Sequence, residues 1–544
     1  METISVILIM LLAVVVSGWL TRAIPIPIPL PLIQIALGAL ISSATSHSMA
    51  LDPHIFFLLF LPPLLFLDGW RIPKRVLKQD RVMIVQLALG LVVVTVVGMG
   101  FFLHWLIPAM PLPVAFALAA IVSPTDPVAV SAISARVPIP KRIMHILEGE
   151  SLLNDASGLV CFRFAVAAAM TGVFSLSSAS LTFLWVATGG LLIGAAFTYA
   201  VAFAQTWLGR HFGEEPGAQI LISVLIPFGA YLIAEHLGAS GILAAVGAGI
   251  AMSRVELTGR ALAVTRIQRK SVWDMIQFSL NGIMFVLLGE QLPGILRGAV
   301  QIVQETGHHN PWWLVVYALA IHAGLTLIRF GWVWLCMQVN GFIARKRGGQ
   351  ADRIDLRLTL AVSLAGVRGA ITMAGVLTLP LLLPSGAAFP ARDLAIFLAS
   401  IVIILSLVIA SACLPRLLAG LELPPASARQ AEEEEARKEA AMSALQAIEK
   451  ARHLLEPAQE NPQMYAEAAT RAMDVYRQRI DNGSLADEEA ENLRASAELE
   501  RYFRVVGLRA ERDTIFRLAR TDQLSDEASR TLVHEIDLME ARLR

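Results

Sequence analysis

Apolar positions in this chain run on rather than alternate. Stretches of about 20 mostly apolar residues, the length a helix needs to cross a hydrocarbon core, begin near residues 4, 30, 54, 82, 112, 143, 180, 217, 239, 271, 312, 355 and 392. The second and ninth are short or interrupted. The pattern predicts an all-α polytopic membrane protein with about thirteen transmembrane helices. From about Leu423 it changes: Pro424 and Pro425 break the last run, and a polar segment with Glu432 to Glu435 follows. Beyond it, apolar residues recur at helical spacing in Ala441 to Leu455, Ala466 to Tyr476 and Ile515 to Leu543, which predicts amphipathic helices. We therefore divide the chain into a membrane domain, 1–423, and a soluble helical tail, 424–544.

Lysine and arginine give these runs a direction, because short positively charged loops stay on the cytoplasmic side. Arg71, Lys74, Arg75, Lys78 and Arg81 follow the third run, and Arg136, Lys141 and Arg142 follow the fifth. Arg254, Arg260, Arg266, Arg269 and Lys270 follow the ninth, and Arg345, Lys346, Arg347 and Arg353 the eleventh. The intervening stretches Ser42 to Pro53, Pro108 to Pro113 and Thr171 to Ser180 carry none, with Arg297 and Arg392 as exceptions on that side. The expected arrangement is a multi-pass protein of the cell (inner) membrane, N-terminus outside and tail in the cytoplasm. Met1 to Leu20 lacks a basic leader region and a convincing cleavage site, so the first helix is expected to remain.

Composition agrees: 544 residues that are 56% hydrophobic and 16% charged, with a mean hydropathy of +0.63, are too apolar for one soluble globule. Formal charge sums to zero, but the tail is acidic by about seven charges, which leaves the membrane part basic by as many. Membrane lipids are the expected partners, with no nucleic acid. Cys161, Cys336 and Cys413 all fall in apolar runs and read as small core residues.

The candidate chemistry stands out because ionisable groups are expensive inside a spanning helix, roughly 2.5–3.5 kcal/mol for an aspartate at its centre. The sixth run contains Glu148-Gly-Glu-Ser-Leu-Leu-Asn-Asp155. Ser151 and Asp155 are four residues apart, as are Glu150 and Asn154, so a helix presents them as two adjacent polar ridges. Hydroxyl, amide and carboxylate oxygens suit an alkali cation, and the same aspartate can carry a proton instead. A carboxylate that holds either one is the minimal device for exchange.

The fifth run contains Ser123-Pro-Thr-Asp-Pro127, whose two prolines remove backbone donors and should break the helix within the membrane. Freed carbonyls, the Thr125 hydroxyl and the start of a second half-helix then face a cavity, with Asp126 placed to neutralise that positive helix end. Seven runs later, Gly366-Val-Arg368-Gly369 interrupts the twelfth. Arg368 needs a partner, and Glu150 is the natural candidate, since breaking a buried pair costs roughly 3–5 kcal/mol. The seven-run offset between two disrupted helices points to inverted repeats around a linker helix. Asp68, just before the basic third loop, either lines an ion entry or closes a helix end against Arg71. Asn281 reads as an interhelical hydrogen bonder. Arg163 has no evident mate, His322 and Arg329 share a helix face, and Glu235 and His236 read as helix-end groups.

At these residues the chain resembles a bacterial sodium/proton exchanger of the monovalent cation:proton antiporter-1 family. The likeness rests on Phe-Leu-Pro-Pro-Leu-Leu-Phe-Leu-Asp68, Ser-Pro-Thr-Asp126-Pro, Glu150-Ser-Leu-Leu-Asn-Asp155 and Gly-Val-Arg368-Gly-Ala, in that order across residues 1 to 420. It implies a homodimer of thirteen-helix protomers, each with a dimerisation domain and a core domain with broken crossing helices that works by alternating access. It implies Na⁺ contacts from Asp155, Ser151 and Thr125, support from Asn154, a secondary ion-path role for Asp68, and a structural ion pair between Glu150 and Arg368. Asn-Asp at 154 and 155, with one titrating carboxylate, implies electroneutral exchange. Asp68 stands where many relatives carry glutamate, which shortens its reach.

The expected activity is therefore electroneutral Na⁺/H⁺ antiport in pH homeostasis, with K⁺/H⁺ antiport as the alternative and a passive cation channel as a remoter one. A membrane-embedded hydrolase is disfavoured, because no His-Glu-x-x-His or Gly-x-Ser-x-Gly pattern occurs. No cofactor is expected beyond the transported ions.

Overall fold

The computed structural model describes residues 2–24, 28–44, 53–71, 81–126, 141–172, 176–213, 215–258, 263–305, 312–346, 356–418, 427–455, 462–482, 487–521 and 526–543. Pro127, Pro424 and Pro425, and Lys74, Arg75, Lys78, Arg136, Arg260, Arg347 and Arg353 of the basic loops, lie outside them. Among the described residues the chain is helical, with one isolated antiparallel bridge between Leu382 and Ala388. The chain divides into two compact units, Met1–Leu421 and Glu422–Arg544.

In the first unit the helices are α1 (Glu2–Ala23), α2 (Leu30–Ala44), α3 (Pro53–Arg71), α4 (Arg81–Val85), α5 (Val92–Leu106), α6 (Leu112–Val122), α7 (Lys141–Thr171), α8 (Leu176–Phe212), α9 (Pro216–His236), α10 (Gly241–Glu256), α11 (Ala263–Glu305), α12 (Trp312–Lys346), α13 (Leu356–Leu364), α14 (Ala370–Leu377) and α15 (Arg392–Leu418). Among the described residues seven spans, with α4 and α5 counted as one, are long and apolar enough, by length and composition, to cross a membrane, and α1, α2 and α6 contain shorter apolar stretches. Apolar side chains such as Leu8, Leu12, Trp105, Leu192 and Phe203 face outward, as expected of helices whose surroundings are lipid.

Packing sorts these helices into two groups. α1, α2, α3, α8, α9, α10 and α11 pack mainly on one another, and α4–α5, α6, α7, α12, α13, α14 and α15 do the same. The groups meet where α11 touches α15 and where α3 touches α7 and α14. Arg163 on α7 reaches across them to Glu235 on α9 at 3.1 Å, which supplies the mate its sequence does not name. Glu235 also accepts from the Gly241 amide at the start of α10.

Three helix interruptions shape the second group. α6 ends at Val122: Ser123 keeps helical backbone angles, and Pro124 brings no amide hydrogen to continue the hydrogen-bond ladder. α13 and α14 are separated by Ala365–Gly369, which includes two glycines. Between α4 and α5 the helix widens into a π turn, Gln86–Leu91, where side chains of neighbouring helices reach its carbonyls. Trp332 donates to Gln86 O at 2.9 Å and Ser157 to Ala88 O at 2.9 Å.

The second unit consists of α16 (Ser427–Leu455) paired with α17 (Pro462–Asn482), and α18 (Asp487–Arg520) paired with α19 (Asp526–Leu543). Arg512 on α18 bonds Asp537 at 2.7 Å and also Glu540, which ties the second pair together.

Candidate ion-binding site

The interrupted segments cross. The Asp126 amide donates to Val367 O at 2.7 Å, so the unwound stretch after α6 runs against the one between α13 and α14. Each break exposes helix-end groups with partial charge, and the opposite break compensates them. Arg368 donates from Nε to Val122 O at 2.9 Å, at the carbonyl end of α6, and from Nη1 to Gly366 O. Its own amide donates to Ser406 Oγ at 3.1 Å. The Asp126 carboxylate lies against Gly369, the residue capping the amide end of α14: a Cβ on Gly369 would fall 1.8 Å from Asp126 Oδ2. A cation thus meets the negative end of one half-helix and an anion the positive end of the other.

The half-helix whose start Asp126 is expected to neutralise, residues 127–140, lies outside the described residues; among those described, its carboxylate lies at the start of α14. One sequence expectation is corrected. The Glu150–Arg368 pair is not formed. Glu150, fully buried, is instead clasped by Arg329 of α12, which donates at 2.5 Å to Oε1 and 2.8 Å to Oε2. The reason is steric and electrostatic. Arg368 is occupied by carbonyls freed at the breaks, and Gly366 leaves the space through which Arg329 passes, since a Cβ there would lie 2.7 Å from Arg329 Nε. Arg329 Nε also donates to Val362 O at 3.3 Å, near the carbonyl end of α13. A two-point guanidinium–carboxylate clasp is among the stronger side-chain contacts.

Thr125 links this pair to the sixth run. Its hydroxyl donates to Glu150 Oε1 at 3.1 Å and accepts from Asn154 Nδ2 at 3.0 Å. Asn154 is therefore turned toward the crossing, while Ser151 and Asp155, one ridge over, face a small cavity. Leu64, Asp68, Gln277 and Asn281 wall it from the first group of helices, and Pro124, Thr125, Asp126, Ser151, Asp155, Gly369, Ile371 and Thr372 from the second. Its volume is about 20 Å³, enough for a single water-sized body, which needs roughly 10–15 Å³. Asp155 is 3% exposed and has no hydrogen-bond or cationic partner among the described residues. Asp68 and Asp126 share the cavity with it. Three carboxylates in one small enclosure require a compensating cation or proton.

Of the candidate ion-site residues Asp155, Ser151, Asn154, Thr125, Asp126 and Asp68, all but Asn154 line this one cavity. Asn154 and Glu150 stand behind it, and Arg368 belongs to the crossing. Asn281, read as a structural hydrogen bonder, lines the cavity, and Gln277, Leu64, Ile371 and Thr372 were not singled out. Gln277 could have been found four residues before Asn281, on the same helix face; the other three carry no polar signal or an ambiguous one. Among the described residues no cluster of three or more His, Cys, Asp or Glu side chains could hold a resident metal, and the three cysteines are free thiols.

A buried carboxylate with no cationic partner among the described residues, beside two interrupted helices and between two helix groups, defines a membrane-embedded ion carrier. The family model described as sodium/hydrogen exchanger, transmembrane, matches residues 7–420, and the chain belongs to that family. It is 44% identical over 548 residues to the uncharacterized Na(+)/H(+) exchanger YjcE of Escherichia coli (strain K12), covering 100% of this chain and 99% of that one. It is 43% identical over 420 residues to a sodium, potassium, lithium and rubidium/H(+) antiporter of Bacillus subtilis (strain 168), covering 76% of this chain and 61% of that protein. The fold is similar to that of the sodium proton antiporter MjNhaP1 from Methanocaldococcus jannaschii, with a TM-score of 0.57 at 17% identity, over 77% of this chain and 99% of that one.

Proposed function

We propose that this multi-pass membrane protein exchanges Na⁺ for H⁺ at Asp155, electroneutrally and by alternating access. The observation that carries the reading is Asp155 itself: buried, without a cationic partner among the described residues, and facing a cavity of one-ion size. With the carboxylate ionised, Asp155, Ser151 and Thr125 offer oxygens to a dehydrated cation. With the carboxylate protonated, the same cavity is empty of cation and carries less negative charge. Only these two loaded forms balance the charge of the buried cavity well enough to cross, because an unpaired buried charge is strongly disfavoured. Obligatory exchange follows.

The cavity lies between two helix groups, so sliding one against the other would expose it first to one side and then to the other. Asp126 and Arg368 would travel with the second group and keep both helix ends compensated throughout. Asn154 carries no charge, which leaves a single carboxylate on this ridge to trade one proton for one monovalent cation. Asp68, on the first group, is the secondary ion-path group. We place the N-terminus outside and the acidic tail inside, from the lysine and arginine distribution, with thirteen crossings and a homodimeric assembly. Na⁺ is the leading cation. The name of the Bacillus relative includes potassium, so K⁺ is the competing substrate to be ranked in the same assay.

The test uses sealed liposomes holding the protein and an internal pH dye, with the voltage clamped. A Na⁺ pulse should alkalinise or acidify the lumen according to the gradient direction in wild type and leave Asp155→Asn silent. A full-size response in Asp155→Asn, or Na⁺ current without proton movement in wild type, would contradict the proposal.

A further inference from the structure

We propose that a groove at the basic end of α8, α9 and α10 binds the phosphate headgroup of an anionic lipid from the same leaflet. The inference rests on the membrane placement given above, not on transport. The groove has a volume of about 1150 Å³, far more than a free phosphate would fill. One wall is a single face of α8, where Tyr199, Phe203 and Trp207 recur every four residues and lead to Arg210. All three rings are well exposed. At 1.5 Å per residue the wall from Tyr199 to Arg210 extends roughly 16 Å, apolar at one end and cationic at the other. That is the profile of an amphiphile lying along the helix.

The polar end is built from arginines. Arg254, in the last turn of α10, and Arg269, on α11, face the same groove as Arg210. Arg210 and Arg254 are exposed and make no ion pair among the described residues. Arg269 is only 5% exposed. It donates to Glu256 Oε1 at 2.9 Å and lies 5.4 Å from the centre of the Trp70 ring, while its buried Nε has no acceptor. Glu256, which also lines the groove, is engaged on its other oxygen by Trp70 Nε1 at 2.7 Å. Three guanidinium groups therefore face one already occupied carboxylate, an excess that an anion would neutralise. Basic pockets between spanning helices on the cytoplasmic side recognise such headgroups, and aromatic rings favour this depth.

Charge and shape together commit the site to a lipid phosphate rather than to a soluble anion. The bound headgroup would also be close to the ion path. Arg269 and Glu256 hold Trp70, two residues from Asp68 on α3, so the lipid would brace the helix that carries the secondary carboxylate.

Thermal melting of the full-length protein in detergent tests this without measuring transport, so failure of exchange and failure of the lipid site are separable. Phosphatidylglycerol should raise the wild-type midpoint by about 5 °C, and phosphatidylcholine or inorganic phosphate at equal concentration should not. Arg210→Gln/Arg254→Gln, both at exposed positions, should lose most of that shift, and Arg210→Lys/Arg254→Lys should keep at least half. Co-purified anionic lipid per protomer, read by mass spectrometry, should fall at least about fivefold in the glutamine variant, which keeps the proposal testable if that variant melts early. An equal shift and equal lipid content in wild type and the glutamine variant would overturn the site. A full shift from inorganic phosphate would overturn the lipid, and one from phosphatidylcholine would overturn the charge recognition.

Discussion

Glu150 and Asp155 are buried acids five residues apart on one helix, and their surroundings differ in the one respect that matters for transport. Glu150 is clasped at two points by Arg329 and receives a third hydrogen bond from Thr125. Asp155 has no such partner among the described residues and faces the small cavity between the helix groups. A carboxylate with a built-in cation has no use for a transported one; a carboxylate without it must find a cation or a proton. On the proposed function, the helix thus carries a structural acid and a working acid side by side. Which is which is decided by a residue 179 positions away.

Removing the working acid should have the largest effect on transport and the smallest on folding. Asp155→Asn should lower Na⁺-driven proton movement at least about 100-fold while leaving the melting midpoint unchanged or raised, because a buried unpaired charge has been deleted. Removing the partner of the structural acid should do the reverse. Arg329→Leu leaves Glu150 buried without its cation and should cost roughly 3–5 kcal/mol, read as early unfolding; adding Glu150→Leu should restore part of the loss. If Arg368→Leu, and not Arg329→Leu, showed that coupling with Glu150→Leu, the pairing would be wrong.

The crossing ranks next. Gly369→Ala would bring a carbon into the space of the Asp126 carboxylate and should reduce exchange about tenfold or more in a folded protein. Gly294→Ala, where a new Cβ meets nothing within 4 Å, should change nothing. Thr125→Val removes two hydrogen bonds of about 0.5–1.5 kcal/mol each; it should lower the midpoint modestly, with Thr125→Ser close to wild type. Asp68→Asn should have the smallest effect, a change in apparent Na⁺ affinity of less than about tenfold. A larger one would move Asp68 into direct ion contact and blur the contrast between one working acid and its neighbours.

The ion cavity was legible because its chemistry is costly in a membrane and so stands out in an apolar run. Asp155 with Ser151, and Thr125 between two prolines, could be read from spacing and helix-breaking alone. The identity of the partner on Glu150 could not. Arg329 was visible as a charge on an apolar helix, but periodicity says which face it shares, not which distant helix it meets. The sequence points to Arg368 instead, and only the three-dimensional crossing reveals that carbonyls from two interrupted helices have claimed it. Arg163 and Glu235 illustrate the same limit, each noticed separately with nothing in the spacing to join them. The π turn at Gln86–Leu91 has no counterpart in the hydrophobic pattern, because one extra residue per turn leaves an apolar run apolar.

The most direct test of the two-acid account is calorimetry of Na⁺ binding to the purified protein, repeated in buffers of different ionisation enthalpy to count the protons released. Binding should release close to one proton per Na⁺ at a pH where Asp155 is protonated in the cation-free protein, and tenfold more protons in solution should weaken apparent affinity about tenfold. Asp155→Asn should show neither binding heat nor proton release. Undiminished binding with proton release in Asp155→Asn, or wild-type binding that releases no proton at any pH, would contradict the claim that this one carboxylate exchanges a cation for a proton.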